Sequence, residues 1–219
     1  MNLRPSTLVL WIAVLLGFFA TPDRCDAQQF RSGSYGYQLT LPPGWIEIPS
    51  SILEEQRIAV YAEGSSIIWD AAFQLESAGN WFEYPYVIVQ PVPYAAHGMK
   101  GQPKEDELPR FVRALSGLDL VGVADSQLSS EARPRFGTVE TGLAELDAAK
   151  RRYQWTGHAD VQGIGPIRFL AVGYFGHQSI VQLLFYSRSG DWDRHSDMRR
   201  SLLDSFRFDT DRAYRSPPP

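Results

Sequence analysis

The stretch that decides the fold is 152–187, RYQWTGHADVQGIGPIRFLAVGYFGHQSIVQLLFYS. Its opening segment, 152–161, alternates between polar and apolar residues. The polar members are Arg152, Gln154, Thr156, His158 and Asp160, and the others are Tyr153, Trp155, Gly157, Ala159 and Val161. Since successive side chains of a strand point to opposite faces, this alternation predicts a strand with one exposed and one buried face.

Two turns rich in glycine predict how the rest of this stretch folds. The first is Gly163-Ile164-Gly165, and folding the chain there places large side chains opposite small ones. The predicted pairs are Trp155 with Gly173, Ala159 with Phe169 and Val161 with Ile167. The second turn, at Gly176-His177, sets Phe169 near Phe185 and Gly173 near Val181. The stretch is therefore predicted to form an antiparallel meander of three strands.

Local patterns predict the remaining elements. Extended segments are predicted at Tyr35–Leu41, Trp45–Ile48, Ile67–Gln74 and Tyr86–Gln90. A helix is predicted at Ser51–Arg57, where Ser51 and Glu54 have capping-box spacing. A second helix is predicted from Pro109 to near Gly117. A third is predicted after Ser189-Gly190-Asp191, and its buried face would carry Trp192, Met198, Leu202 and Phe206. This order indicates an α+β fold with a mainly antiparallel sheet and flanking helices.

Two short motifs resemble a known superfamily. The segment Gly36–Trp45, GYQLTLPPGW, is similar to the opening strand and turn of the PsbP-like α/β/α sandwich superfamily, and Ser205–Phe208, SFRF, is similar to its closing strand. That superfamily includes extrinsic proteins of the oxygen-evolving complex, a Ran-binding import factor and many exported bacterial proteins. The resemblance implies a PsbP-like sandwich and a non-enzymatic binding or accessory protein. It matches no family site residue onto this chain.

Composition limits the classes of function. The chain has 219 residues with 44% hydrophobic content, and its 6 Trp, 10 Tyr and 12 Phe provide for one sizeable core. The formal net charge of −4 argues against a nucleic-acid-binding protein. The single Cys excludes a disulfide framework and zinc sites built from several cysteines.

The first residues predict export. Arg4 precedes the uncharged apolar run Leu8–Ala20, LVLWIAVLLGFFA, and a polar stretch ends at Cys25-Asp26-Ala27. This run is shorter than the roughly 20 residues of a membrane span, so we predict a signal peptide over 1–27, cleaved after Ala27, and no stable membrane span afterwards. The expected location is periplasmic or extracellular. The alternative is a membrane anchor formed by the uncleaved segment.

The rest of the chain is predicted to be one α+β domain over 28–211. No linker rich in Ser, Gly or Pro and no repeat interrupts it. The last residues, 212–219, end in three prolines and are predicted to form a disordered tail.

An aromatic cluster is the preferred binding site. Trp81, Phe82, Tyr84 and Tyr86 lie close together in the segment NWFEYPY, and aromatic rings with a polar group are typical of binding surfaces. Alternation is expected to send Trp81 outward while Tyr84 and Tyr86 pack inward. The alternative is that all four rings belong to the core.

A rival hypothesis places chemistry at His158 and Asp160. Residues two apart on a strand share a face, so this pair is a candidate for metal binding, although no third ligand is fixed by the sequence. The predicted register instead sets Asp160 opposite Arg168 as an ion pair and His158 opposite Leu170. His177 is expected at the far turn. The rival function is an envelope hydrolase or metal-dependent enzyme that uses His158, Asp160 and His177.

No catalytic residue and no cofactor are predicted. The chain after Ala27 has no Cys, and no Gly-x-Ser-x-Gly motif is present. We therefore expect an exported, non-enzymatic binding or accessory protein of the cell envelope, with a protein partner there and no nucleic acid.

Overall fold

The computed structural model describes residues 27–97, 99–117, 128–130, 132 and 135–215. The predicted apolar signal segment Leu8–Ala20 lies outside them. The strands are β1 Gln28–Ser32, β2 Tyr37–Leu41, β3 Trp45–Glu47, β4 Ala71–Leu75, β5 Tyr86–Pro93, β6 Phe136–Thr141, β7 Glu145–Asp147, β8 Arg152–Val161, β9 Gly165–Phe175, β10 Ser179–Arg188 and β11 Arg207–Phe208. The α-helices are α1 Ser50–Val60, α2 Leu108–Gly117 and α3 Ser196–Ser205.

These strands form two sheets. The central sheet has the order β3-β4-β5-β10-β9-β8-β6, with β7 also paired to β8, and the small sheet has the order β1-β2-β11. Every pairing is antiparallel. The predicted α+β class and the predicted meander of three strands, β8-β9-β10, are confirmed. In the described part of the chain, no helix is long and apolar enough to cross a membrane.

One face of the central sheet, here the front face, packs against the small sheet and α3. Its inward side chains include Phe73, Val172 and Leu183, which share a buried cluster with Tyr37 of β2 and Leu202 of α3. Burial of this apolar surface supplies most of the driving force that joins the two sheets.

The opposite face, here the back face, packs against α1 and α2. Leu53 of α1 lies with Ala72 and Ile88 in one buried cluster. Val112 of α2 lies with Phe175 in another. Elements therefore cover both faces of the central sheet, as a sandwich requires.

The register of the first hairpin differs from the prediction by two residues. The structure pairs Trp155 with Ala171, Ala159 with Ile167 and Val161 with Gly165. The three predicted pairs are wrong because the turn is centred on Gly163, where the N–H of Ile164 donates to the Val161 carbonyl at 3.0 Å. A shift of two residues keeps every side chain on its predicted face.

The second hairpin differs by one residue, which has a larger effect. Phe185 lies opposite Leu170 and Val181 lies opposite Tyr174, so the predicted contacts of Phe169 with Phe185 and of Gly173 with Val181 are wrong. The cause is a longer turn, closed by the N–H of Gly176 and the Ser179 carbonyl at 3.0 Å. Because the shift is odd, Phe169 and Phe185 lie on opposite faces of the sheet.

Some element boundaries also differ from the prediction. Helix α1 begins at Ser50 with Pro49 as its N-cap, and the Glu54 carboxylate is bound by Arg57 at 2.7 Å instead of completing a capping box. Strand β4 begins at Ala71, so the predicted strand start at Ile67 is wrong.

The C-terminal segment is ordered further than predicted. Ala213 forms a β-bridge with Gly176, and Tyr214 is only 7% exposed. The Tyr214 hydroxyl donates to the Pro103 carbonyl at 2.8 Å, and the Arg151 guanidinium lies 4.6 Å from the Tyr214 ring centroid. The prediction of a disordered tail is therefore wrong for residues 212–215, while 216–219 lie outside the described residues.

An aromatic band as the candidate functional site

A buried glutamine organises the loop that carries the predicted aromatic cluster. Gln74 of β4 donates through Nε2 to the Asn80 carbonyl at 2.9 Å and accepts from the Phe82 N–H at 2.7 Å. The Glu83 carboxylate accepts from Asn80 Nδ2 at 2.7 Å and from the Gly79 N–H at 3.3 Å. These bonds fix the loop before any partner binds, which lowers the entropic cost of binding.

The loop separates Trp81 from its aromatic neighbours. Trp81 is 41% exposed, whereas Phe82, Tyr84 and Tyr86 are half-buried. Phe82 has a φ of 62°, in the left-handed region, and its ring packs in the cluster beside α1. Trp81 thus points outward while Tyr84 and Tyr86 pack inward, and the four rings are not all buried.

The inward rings belong to a larger set that crosses the back face. Tyr86 stacks on Tyr186 of β10 at a centroid distance of 5.0 Å, and Tyr186 contacts Phe169 of β9 at 6.1 Å. Phe169 meets the edge of Trp155 of β8 at 5.4 Å. We call the connected rings the aromatic band: Tyr61, Trp69, Phe82, Tyr84, Tyr86, Tyr186, Phe169 and Trp155.

Sequence reasoning found three of the eight rings of this band, Phe82, Tyr84 and Tyr86, and missed the other five. The one-residue error at the second turn put Phe169 next to Phe185, which lies on the front face. The observed register instead places Tyr186 between Tyr86 and Phe169. The length of the turn Gly176–Ser179 would have predicted the band, because it sets which side chains of β10 lie on the same face of the sheet as Phe169 of β9.

The band carries hydroxyl groups that stay neutral. Burial raises the pKa of the Tyr61 hydroxyl to about 12. Burial also raises the pKa of Tyr86 and Tyr186 well above the ordinary range, and the neighbouring tyrosine hydroxyls add to this effect. At neutral pH the band therefore offers ring surface and hydroxyl donors without charge, which suits an apolar or mixed ligand surface.

The structure separates His177 from the other two residues of the rival hypothesis, His158 and Asp160, which lie on one face of β8. His158 lies opposite Arg168 and Asp160 opposite Pro166, so the predicted Asp160–Arg168 pair and the His158–Leu170 pair are wrong. His158 Nε2 instead lies 3.6 Å from a Glu140 carboxylate oxygen.

His177 follows the far end of β9, and its Nδ1 lies 3.2 Å from the Gln102 side-chain oxygen. Several residues of β9 separate it from the position of Arg168 opposite His158. Over the residues that the structure describes, no group of three or more His, Cys, Asp or Glu side chains is placed to hold a metal ion.

Two of the solved structures that are similar to this chain are a PsbP protein and LpqN. No protein family matches the sequence, and no curated protein matches it. The PsbP protein (CyanoP) of Synechocystis sp. PCC 6803, a solution structure, is 15% identical, covers 84% of this chain and 93% of its own, and has a TM-score of 0.40. LpqN, involved in cell envelope biogenesis of Mycobacterium tuberculosis, is 9% identical, covers 83% and 90%, and has a TM-score of 0.42.

Proposed function

We propose that this chain is an exported, non-enzymatic binding protein of the cell envelope, and that Trp81 with the adjoining aromatic band forms the surface that takes a protein partner. The observation that carries the proposal is Trp81, a large ring that is 41% exposed on a loop fixed by the buried Gln74. Exposed, pre-positioned aromatic side chains dominate the free energy of many protein interfaces.

The chemistry of the neighbourhood supports binding over catalysis. The rings beside Trp81 are linked edge to face and by stacking, and their hydroxyls are neutral at physiological pH. Such a surface provides contact area and hydrogen-bond donors. Of the groups named by the rival enzyme hypothesis, His158 and Asp160 share one face of β8, whereas His177 follows the far end of β9.

The test is a pull-down from the envelope fraction with the tagged protein, in which the captured protein is identified and quantified. The intact mass and bound metal are measured on the same sample. We expect one protein partner in stoichiometric amount and a mass that begins at Gln28. The variant Trp81→Ala is expected to lose this partner, because truncation removes the exposed ring.

Ile164→Ala is the matched control, since Ile164 is also 41% exposed but lies in the turn between β8 and β9. Capture of the same protein by wild type, Ile164→Ala and Trp81→Ala alike would contradict the proposed surface. Near-stoichiometric metal with no partner would favour the metal-dependent enzyme instead. A mass that includes Leu8–Ala20 would favour the anchored form.

A further inference from the structure

Charged side chains form a row on the front face, where β6 and β8 are exposed. Glu140 of β6 lies opposite His158 of β8, and His158 lies opposite Arg168 of β9. Because neighbouring strands are about 4.8 Å apart, this row spans about 10 Å from its negative to its positive end. Asp160 lies on the same face, two residues from His158. We call Glu140, His158, Asp160 and Arg168 the charge row.

Arg168, at the positive end, is held in place but lacks an anionic partner. Its guanidinium carbon lies 4.7 Å from the centroid of the Trp192 ring, and that of Arg199 lies 3.9 Å from the same ring. The Nε atom of Arg168 is closed to solvent and has no hydrogen-bond partner, and no described carboxylate forms an ion pair with this guanidinium. Because the side chain is half-buried and lines the groove, an anionic group there would be bound through the other guanidinium nitrogens.

Arg199 strengthens the positive end. Burial and the nearby charge of Arg168 both lower the pKa of Arg199, so the two guanidinium groups repel each other. A bound anion between or beside two cations reduces such repulsion.

The other end of the charge row is acidic and open. The Glu140 side chain is 70% exposed, and its ionic contact is His158 at 3.6 Å. Asp160 is exposed, and among the residues with described side chains it forms no ion pair. Glu140, with so little compensation, favours a cationic group at this end, while Asp160 lies on the middle strand β8.

A groove joins the two ends. It has a volume of about 510 Å³ and is lined by the charge row together with Pro166 and Ser189. This volume lies within the range of small-molecule sites. We propose that the groove binds a small zwitterionic molecule, with an anionic carboxylate-like group at Arg168 and a primary ammonium group at Glu140. The site lies on the opposite face of the sheet from the aromatic band, so it does not rest on the proposed partner.

The length of the charge row distinguishes between two kinds of zwitterionic ligand. A free α-amino acid carries its two charges close together, whereas a molecule such as a peptide with a terminal carboxylate and a Lys side chain carries them several bonds apart. The separation of about 10 Å between the outer strands of the row favours the second source.

The test is an NMR titration that follows the backbone amide resonances of positions 158, 160 and 168, which wild type and all variants retain, and yields a dissociation constant. The probes are glycine, γ-aminobutyrate and ε-aminocaproate, with acetate and ethylamine as single-charge references. We expect ε-aminocaproate to bind about tenfold tighter than either reference, because only it makes charge-assisted contacts at both ends. Tighter binding of glycine than of ε-aminocaproate would overturn the assignment to an extended ligand.

Variants separate the two ends. Arg168→Met is expected to weaken ε-aminocaproate by about tenfold or more, and Arg168→Lys, which retains the charge and the fold, by less. Glu140→Gln is expected to weaken ε-aminocaproate but not acetate. Arg200→Gln is the control, because Arg200 is exposed and pairs only with Asp197. Equal affinity for acetate and ε-aminocaproate, or no effect of Glu140→Gln, would overturn the zwitterion site.

Discussion

The two faces of β8, β9 and β10 differ in what their side chains do. On the back face, Phe169 contacts both Trp155 and Tyr186, and these two rings join the clusters under α2 and α1 respectively. On the front face near β6, His158 and Asp160 are exposed and touch little beyond Glu140. Neighbouring residues of one strand point to these two faces. A single substitution therefore tests whether the side chains of a face stabilise the fold or are free to bind a ligand.

The largest expected effect is that of Tyr186→Ala. Tyr186 stacks on Tyr86 and contacts Phe169, so its removal opens a cavity in the centre of the aromatic band. We expect the free energy of unfolding to fall by roughly 3–5 kcal/mol, as for other large aromatic side chains. Denaturant unfolding measures this change. His158→Ala on the front face is expected to change it by less than about 0.5 kcal/mol, and equal losses for the two variants would contradict the comparison.

Alkaline pH is expected to weaken the back face next. Burial raises the pKa of Tyr61 to about 12 in the folded state, above the ordinary value of 10.0 for a tyrosine in an unfolded chain. As the pH rises, the unfolded chain therefore loses the Tyr61 proton before the folded chain does. The neutral hydroxyl makes its full contribution to the free energy of unfolding below about pH 10, and that contribution is lost as the pH rises through about 12. Unfolding curves from about pH 8 to about pH 11, followed with tyrosinate absorbance, measure the loss. A constant free energy of unfolding over that interval would refute the expectation, and Tyr61→Phe should reduce the decline.

Gly157→Ala is expected to have a moderate effect. A Cβ at Gly157 would lie 2.4 Å from the Glu140 carbonyl oxygen and 2.4 Å from the Phe169 ring, so backbone and ring must both shift. We expect a loss of roughly 1–3 kcal/mol in the free energy of unfolding. Gly190→Ala is the control, because nothing lies within 4 Å of the added Cβ there. Similar stability of both variants would show that Phe169 is not confined against β8.

The smallest effect on stability is expected for Trp81→Ala. Trp81 is 41% exposed, and so is the control residue Ile164. Truncation of either side chain is therefore expected to change the free energy of unfolding by about 0.5 kcal/mol or less. Thermal unfolding of the two variants checks this equality. A loss of several kcal/mol for Trp81→Ala alone would assign Trp81 to the core and remove the argument for a binding surface.

A register error of an even number of residues leaves every side chain on its predicted face of the sheet, so the faces can be predicted correctly even where the paired residues are not. Alternation over 152–161 gave the correct buried and exposed sides, although the pairs with β9 were displaced by two residues. Composition and element order were enough for the α+β class, because they depend on local patterns. The residues opposite one another could not be predicted, since the turn length that sets them is decided by one or two backbone hydrogen bonds.

The candidate sites depend on contacts that local patterns do not contain. Trp81 and its neighbours are visible as a dense aromatic segment, but Tyr186 and Phe169 join them only through the pairing of β5, β10 and β9. Arg168 likewise has no local signal of its role. Its position under Trp192 results from the chain returning over the front face after β10.

The small sheet places β2 between β1 and β11, so the first and last strands of the described chain meet on the same partner. During synthesis the small sheet cannot be completed until Phe208 has left the ribosome. Until then, the apolar front face of the central sheet lacks part of its cover. Completion of the small sheet therefore depends on residues that follow α3, and a chain truncated before Arg207 would leave part of the front face exposed.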